Sequence, residues 1–309
     1  MANSAREEFR ASIDDALALV QSHTGPALVE AGPDEPLPSL LDQCLRMVET
    51  PQTAGPEPVR LLHQLACTGG TLLSRCIAAM PNTRLLSEVD PLSPLKQASA
   101  FLPADVAGLA RNGSRAPGTD VITDIFLAGL KVLTEDCRAD GLRLVLRDHA
   151  HGLFMHGDRV AQRPSLRDLL QDDYSLLSLV TVRHPIDSYL SLQNNKWMHF
   201  TPSDLAEYCR RYHVFLDYYS DVEIIRYEDF VEAPEPVMQQ ICKSLELPYD
   251  PGFIDTFSII PLSGDSGRRG AVIAPRPRRS VPSGLRSQIA DNPAYDSLCK
   301  RLGYTPYVA

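Results

Sequence analysis

The chain has 309 residues, a formal net charge of −9, 44% hydrophobic residues and 22% charged residues, the balance of a globular α/β-sized protein with room for a large core. So negative a surface excludes nonspecific nucleic-acid binding by the whole molecule, and any anionic ligand must be met by local positive charge. Cys44, Cys67, Cys76, Cys137, Cys209, Cys242 and Cys299 are scattered without a Cys-x-x-Cys pair, which points to reduced thiols and a cytoplasmic setting rather than a disulfide framework.

Residues 4–22 carry Phe9, Ile13, Ala16, Leu17 and Val20 at helical spacing, so an amphipathic helix is expected there. The acidic start does not fit a secretory signal, and no apolar run reaches the ~20 residues that span a bilayer. A Pro- and Gly-rich stretch from Gly25 to Pro38 interrupts, and Ser39 is placed to cap a second helix ending near Glu49. Residues 1–55 therefore read as an N-terminal helical extension, and 56–309 as one α/β domain.

Five apolar runs then read as strands: Val59–Ala66, Arg84–Ser87, Leu142–Leu146, Leu179–Val182 and Val222–Ile225. Helical patterns lie between or after them at Thr71–Met80, Val121–Arg138, Ile186–Lys196, Ser203–Tyr218 and Pro236–Leu245. This alternation predicts a central parallel sheet of about five strands flanked by helices. In such sheets ligands bind beyond the carboxyl ends of the strands.

Chemistry-bearing residues do follow strands. The run before Thr68-Gly69-Gly70-Thr71 is apolar and the run after it is helical, a P-loop-like junction whose backbone N–H groups and helix dipole suit a phosphate. It lacks the G-x-x-x-x-G-K-[ST] pattern of nucleoside triphosphatases. In Val182-Arg183-His184-Pro185-Ile186-Asp187, the arginine closes a strand and the proline opens a helix carrying Ser191. Arginine at that place grips a phosphate through two parallel bonds, or pairs with Asp187 at the surface.

Together these two segments resemble the sulfotransferase family, whose members use 3′-phosphoadenosine-5′-phosphosulfate (PAPS) and release adenosine 3′,5′-bisphosphate (PAP). Thr68-Gly69-Gly70-Thr71-Leu72 matches the latter part of the family's P-K-[ST]-G-T-T-x-L motif, and Arg183 and Ser191 match the Arg and Ser of its second motif. The resemblance implies that Cys67 to Leu72 and Arg75 hold the 5′-phosphosulfate end, and that Arg183 and Ser191 bind the 3′-phosphate. Ile225-Arg226-Tyr227-Glu228-Asp229-Phe230 matches a Y-E-D-[LF] segment, which would put Tyr227 near adenine. Ser263 to Gly270 resembles the family's late R-K-G loop, implying that Arg268, Arg269 and Gly270 close over the 3′-phosphate. From Ser263 to Ala290 there are six arginines against one acid, an excess that an anionic cofactor explains; a solvated basic tail is the plainer alternative.

Cys67 stands where the family places a lysine on the oxygen bridging phosphate and sulfate. One charge-assisted hydrogen bond is worth roughly 1.5–3 kcal/mol, so either another cation replaces it or the protein binds with little turnover. Arg75, one turn into the helix, and Arg147, after the third strand, are the replacements at hand. By resemblance to the family's Lys-x-His, Arg147 and His149 would serve at the sulfate and as general base. Glu88, ending the second strand, is the other candidate base and the preferred one, since its strand follows the loop helix directly; it resembles the carboxylates of the family's carbohydrate and tyrosyl-protein branches. His149, His151 and His156 do not complete a recognisable metal set, and the family needs no metal. Trp197, Phe200 and the aromatics from Tyr208 to Tyr219 have the spacing of core residues.

The expected activity is sulfuryl transfer to a hydroxyl, less readily an amine, of a small-molecule, lipid or carbohydrate acceptor, with no nucleic-acid partner. A catalytically degenerate PAP- or PAPS-binding protein and a P-loop-type nucleotide-dependent kinase are the alternatives. The N-terminal helices would serve a homodimer or a lid.

Overall fold

The computed structural model describes residues 56–94, 104–263, 270, 272–278 and 280–307; the expected helices of residues 1–55 lie outside them, as does Cys44. Among the described residues are seven strands: β1 (Val59–Gln64), β2 (Thr83–Val89), β3 (Arg143–Asp148), β4 (His156–Gly157), β5 (Leu176–Val182), β6 (His199–Phe200) and β7 (Glu223–Arg226). Five of them form one sheet in the order β2-β3-β1-β5-β7, and every pairing is parallel. The other two, β4 and β6, pair with each other.

The alternation of strand side chains decides the two layers. Val59 and Leu61 of β1, with Leu144 and Leu146 of β3, face the helix Thr119–Ala139 and share a core with its Leu130 and Cys137. Leu62 and Val145 face the opposite way, onto Leu73, Cys76 and Ile77 of the helix Gly70–Ala78 and Met238 and Ile241 of the helix Pro234–Ser244. All six β1 residues are buried, including Arg60, His63 and Gln64, each of which finds a polar partner. A third cluster joins Tyr208, Tyr212 and Phe215 to Leu285, Tyr295 and Leu298. The latter three lie on helices Ser283–Ala290 and Pro293–Leu302, which the hydrophobic pattern did not separate from loop.

Two strand ends run further than their apolar residues. The third strand continues through Arg147 and Asp148, which pair in register with Leu62 and His63. Asp148 is tolerated there because its carboxylate accepts from His63 Nδ1 at 2.8 Å and Tyr219 hydroxyl at 3.1 Å, both buried. The second strand continues to Val89 past an irregularity after Leu86, and Glu88 there takes φ 62°. A non-glycine residue in that region is uncommon and costs free energy. Both extensions carry candidate catalytic side chains to the sheet's carboxyl edge.

Candidate active site

The loop after β1 is built around two left-handed residues, Cys67 at φ 68° and Gly69 at φ 93°. A Cβ on Gly69 would stand 2.1 Å from Tyr227 Cδ2, so the tyrosine ring lies directly on the loop and only glycine fits. The following helix begins at Gly70 with no side-chain cap and no acid in its first turn, leaving that N-terminus electropositive. Thr68 is buried, and its hydroxyl donates to the Leu65 carbonyl at 2.8 Å. It holds the turn from behind, while Cys67, Gly69, Gly70, Thr71, Leu72 and Arg75 line a cavity of about 470 Å³.

The same cavity is lined by Glu88, Arg147 and His149 on one side and by Arg183, Ser191, Tyr227 and Gly270 on the other. Arg268 and Arg269 lie outside the described residues. Arg276 and Arg278 of the same basic segment do line the cavity. Ser263, just before that segment, accepts from Ser87 N at 2.7 Å and donates to Ser87 O at 3.1 Å. It ties the segment's start to β2 beside Glu88.

Arg147 is the organising cation of the first side. Its Nη2 lies 2.7 Å from Glu88 Oε1, and its Nη1 donates to Ser87 hydroxyl at 2.8 Å. The Gln64 amide is satisfied when its oxygen faces Arg147 and accepts from Nε and Nη2. A guanidinium held on three edges by β1 and β2 is fixed in direction. Glu88 Oε2 lies 3.6 Å from His149 Nε2, so the two candidate bases stand side by side and share one carboxylate–imidazole unit. Across the loop, Asn195 Nδ2 donates to Cys67 Sγ at 3.5 Å.

On the second side the Arg183 guanidinium sits 5.0 Å over the Tyr227 ring and donates to the Cys67 carbonyl at 3.3 Å. Its Nε is buried and makes no hydrogen bond within the protein. A buried donor of this kind is costly unless a ligand takes it, and an anion is the group that fits. Ser191 is buried against the same wall, its hydroxyl donating to Asp187 O at 2.7 Å. Arg278 approaches Asp187 Oδ2 at 3.7 Å and His184 Nε2 at 3.3 Å, bringing the basic segment across to the Arg183 helix.

The Sulfotransferase family profile matches residues 178–251, the stretch that contains Arg183, Ser191 and Tyr227. Among solved structures, the sulfotransferase domain of the Synechococcus PCC 7002 olefin synthase is 19% identical at TM-score 0.51, over 83% of this chain and 98% of that one. The chain carries a sulfotransferase-family segment on a sulfotransferase fold. The sulfotransferase domain from the curacin biosynthetic pathway gives 16% identity and TM-score 0.49, over 82% of this chain and all of that one. Mouse sulfotransferase SULT7A1 complexed with PAP gives 12% and 0.35, over 66% and 64%. At these identities the likeness is one of fold. No curated protein matches the chain.

On this sulfotransferase fold several cavity residues lie outside the motifs. Gln64 looks like one more strand residue until β3 brings Arg147 beside it. Trp197 and His199 follow the Arg183 helix, and the β4–β6 pairing sets them next to His156 and the His151 segment. Phe200, Tyr208, Tyr212 and Phe215 are core, as their spacing suggests, whereas Trp197 is 36% exposed and lines the cavity. Among the described residues no three His, Cys, Asp or Glu side chains are grouped to hold a metal ion, and no helix is long and apolar enough to cross a membrane.

His151 is buried, lines the cavity, and makes no hydrogen bond at either ring nitrogen. Burial first, then the neighbouring His149 and His199, push its imidazole down to about 3. As pH falls from about 6.5 toward 3 the unfolded chain therefore takes up a proton that the folded chain refuses, so stability is full above that window and lost within it. The slope is about 1.4 kcal/mol per pH unit. Between pH 6.5 and 5 the loss should be about 2 kcal/mol, read from urea midpoints, and should disappear from the pH dependence of His151→Phe.

Proposed function

We propose that the protein transfers a sulfuryl group from PAPS to an acceptor hydroxyl, less readily to an amine. The observation that carries this reading is the convergence of Glu88, Arg147 and His149 on the same cavity as the Cys67–Leu72 loop. Sulfuryl transfer, like phosphoryl transfer, asks little covalent chemistry of the protein; positioning and charge stabilisation do most of it. When bound, PAPS supplies the transferable group and the leaving group. The loop and helix N-terminus would hold its 5′ end, Arg183 and Ser191 its 3′-phosphate, and Tyr227 its adenine. Arg268, Arg269 and Gly270 would close over the 3′-phosphate. Arg147 stands in for the cation that Cys67 cannot provide, and neutralises charge on the departing oxygen. Arg75 supports the loop from its helix.

His149 takes the acceptor proton, and Glu88, 3.6 Å away, stabilises the imidazolium that results. The weight moves from Glu88 to His149 because one Glu88 oxygen is engaged by Arg147. Accordingly His149→Asn should abolish the acidic limb of the kcat/KM–pH profile, while Glu88→Gln keeps the limb and lowers kcat/KM by roughly tenfold. Retention of the limb in His149→Asn and its loss in Glu88→Gln reverses the assignment.

A second reading, a PAP- or PAPS-binding protein with little turnover, is favoured by one observation, the cysteine at position 67. Calorimetry with PAP against ATP tests the site itself: binding of ATP alone rejects both readings in favour of a nucleotide-dependent kinase. Transfer of labelled sulfate from PAPS to an acceptor panel then separates enzyme from sensor.

A further inference from the structure

One end of the cavity has a composition of its own. Among the described residues, the ends of β2 and β3, the turn after β3, and residues 195–199 contribute only polar or aromatic side chains to it, Glu88, His149, His151, Trp197 and His199 among them. An alkyl chain placed there would desolvate polar groups and gain little apolar contact.

Charge is already balanced at this end. Glu88 is paired with Arg147, and the Asp148 carboxylate is taken by His63 and Tyr219. Among the described residues at this end, no unopposed carboxylate awaits an ammonium group. His151 and His199 are both held below the usual histidine range, mainly by burial, so they meet a ligand as neutral rings. Neutral imidazole offers one donor and one acceptor, the complement of a hydroxyl, which also does both. His151 has neither position used within the protein, although it is 2% exposed.

Resting on the sulfotransferase reading, we propose that the acceptor is a neutral polyhydroxylated ring, a sugar or cyclitol, that lays one face on Trp197 and presents a hydroxyl next to the reacting one to His151. The indole covers the ring's C–H face and the imidazoles read its edge. A simple phenol, with one hydroxyl, leaves His151 unpaired. A site built to hydrogen-bond a hydroxyl rejects analogues lacking it by roughly 10⁴-fold or more, so the preference is steep.

The test is labelled-sulfate transfer to methyl β-glucoside and myo-inositol against 2-naphthol and 1-decanol, with PAP binding followed by calorimetry. The polyols are expected to be sulfated and the others not. His151→Leu should lose about 100-fold in kcat/KM toward the polyol with PAP affinity retained, His151→Gln should recover part of it, and Trp197→Ala should raise KM about tenfold. Retained PAP affinity shows that each variant is folded. Sulfation of naphthol or decanol without the polyols, or polyol turnover indifferent to His151→Leu, overturns the proposal. Absence of PAP binding by the unaltered protein, or PAP binding with no acceptor sulfated, overturns the sulfotransferase reading instead.

Discussion

Arg147→Ala is expected to lower kcat by roughly 10²–10³-fold, the cost of removing one preorganised donor from a developing oxyanion. The reason is geometric. Arg147 is fixed by Glu88 at 2.7 Å and Ser87 at 2.8 Å, with Gln64 on its remaining edge, so no reorganisation is needed when charge develops. PAP affinity should change by less than about threefold, under 0.7 kcal/mol, because Arg183 and Ser191 are untouched. Lysine at 147 restores charge without the fork that spans both Ser87 and Glu88, and partial rescue is expected. Single-turnover rates at saturating PAPS measure these effects. A near-wild-type kcat for Arg147→Ala transfers the role to Arg75, which also lines this cavity from the loop's helix.

Gly69→Ala should damage both fold and site. Its φ of 93° penalises any side chain, by about 1–2 kcal/mol, and the new Cβ would meet Tyr227 Cδ2 at 2.1 Å. The ring must swing away, and the Arg183 guanidinium 5.0 Å above it loses its support, a cation–π contact worth about 0.5–1 kcal/mol. Stability should fall by about 2 kcal/mol in urea titrations, mostly through strain. PAP affinity should fall about tenfold, or ~1.4 kcal/mol. In the double mutant Gly69→Ala/Tyr227→Ala the clash is gone and the two stability losses should sum to less than their separate values. Strict additivity would mean that ring and loop do not communicate.

Much of the sheet was legible because its strands carry short apolar clusters between helical patterns. Leu61–Leu62 in Val59–Gln64, Leu179–Val180 in Leu176–Val182 and Ile224–Ile225 in Glu223–Arg226 mark them. Polar strand ends were not legible. Arg147 and Asp148 are accommodated in β3 by partners far away in sequence: Gln64, Ser87 and Glu88 for Arg147, His63 and Tyr219 for Asp148. The C-terminal helices escaped for a related reason: Leu285, Tyr295 and Leu298 are buried by the aromatic helix Leu205–Tyr218, a partner that local periodicity does not reveal.

By itself the sequence determined the glycine turn between strand and helix, the strand-end arginine with Ser191 eight positions on, and the cysteine at position 67, since each is a local pattern whose meaning depends on adjacent residues. Only the tertiary structure brought Arg147 into the loop's cavity and set Glu88 beside His149. It also decided that Trp197 faces a cavity rather than the core. Those facts depend on sheet order: β2, β3 and β1 lie side by side, and the β4–β6 pairing folds residues 197–199 onto the segment after β3. Contacts between residues tens of positions apart arise from that packing, and no local period encodes them.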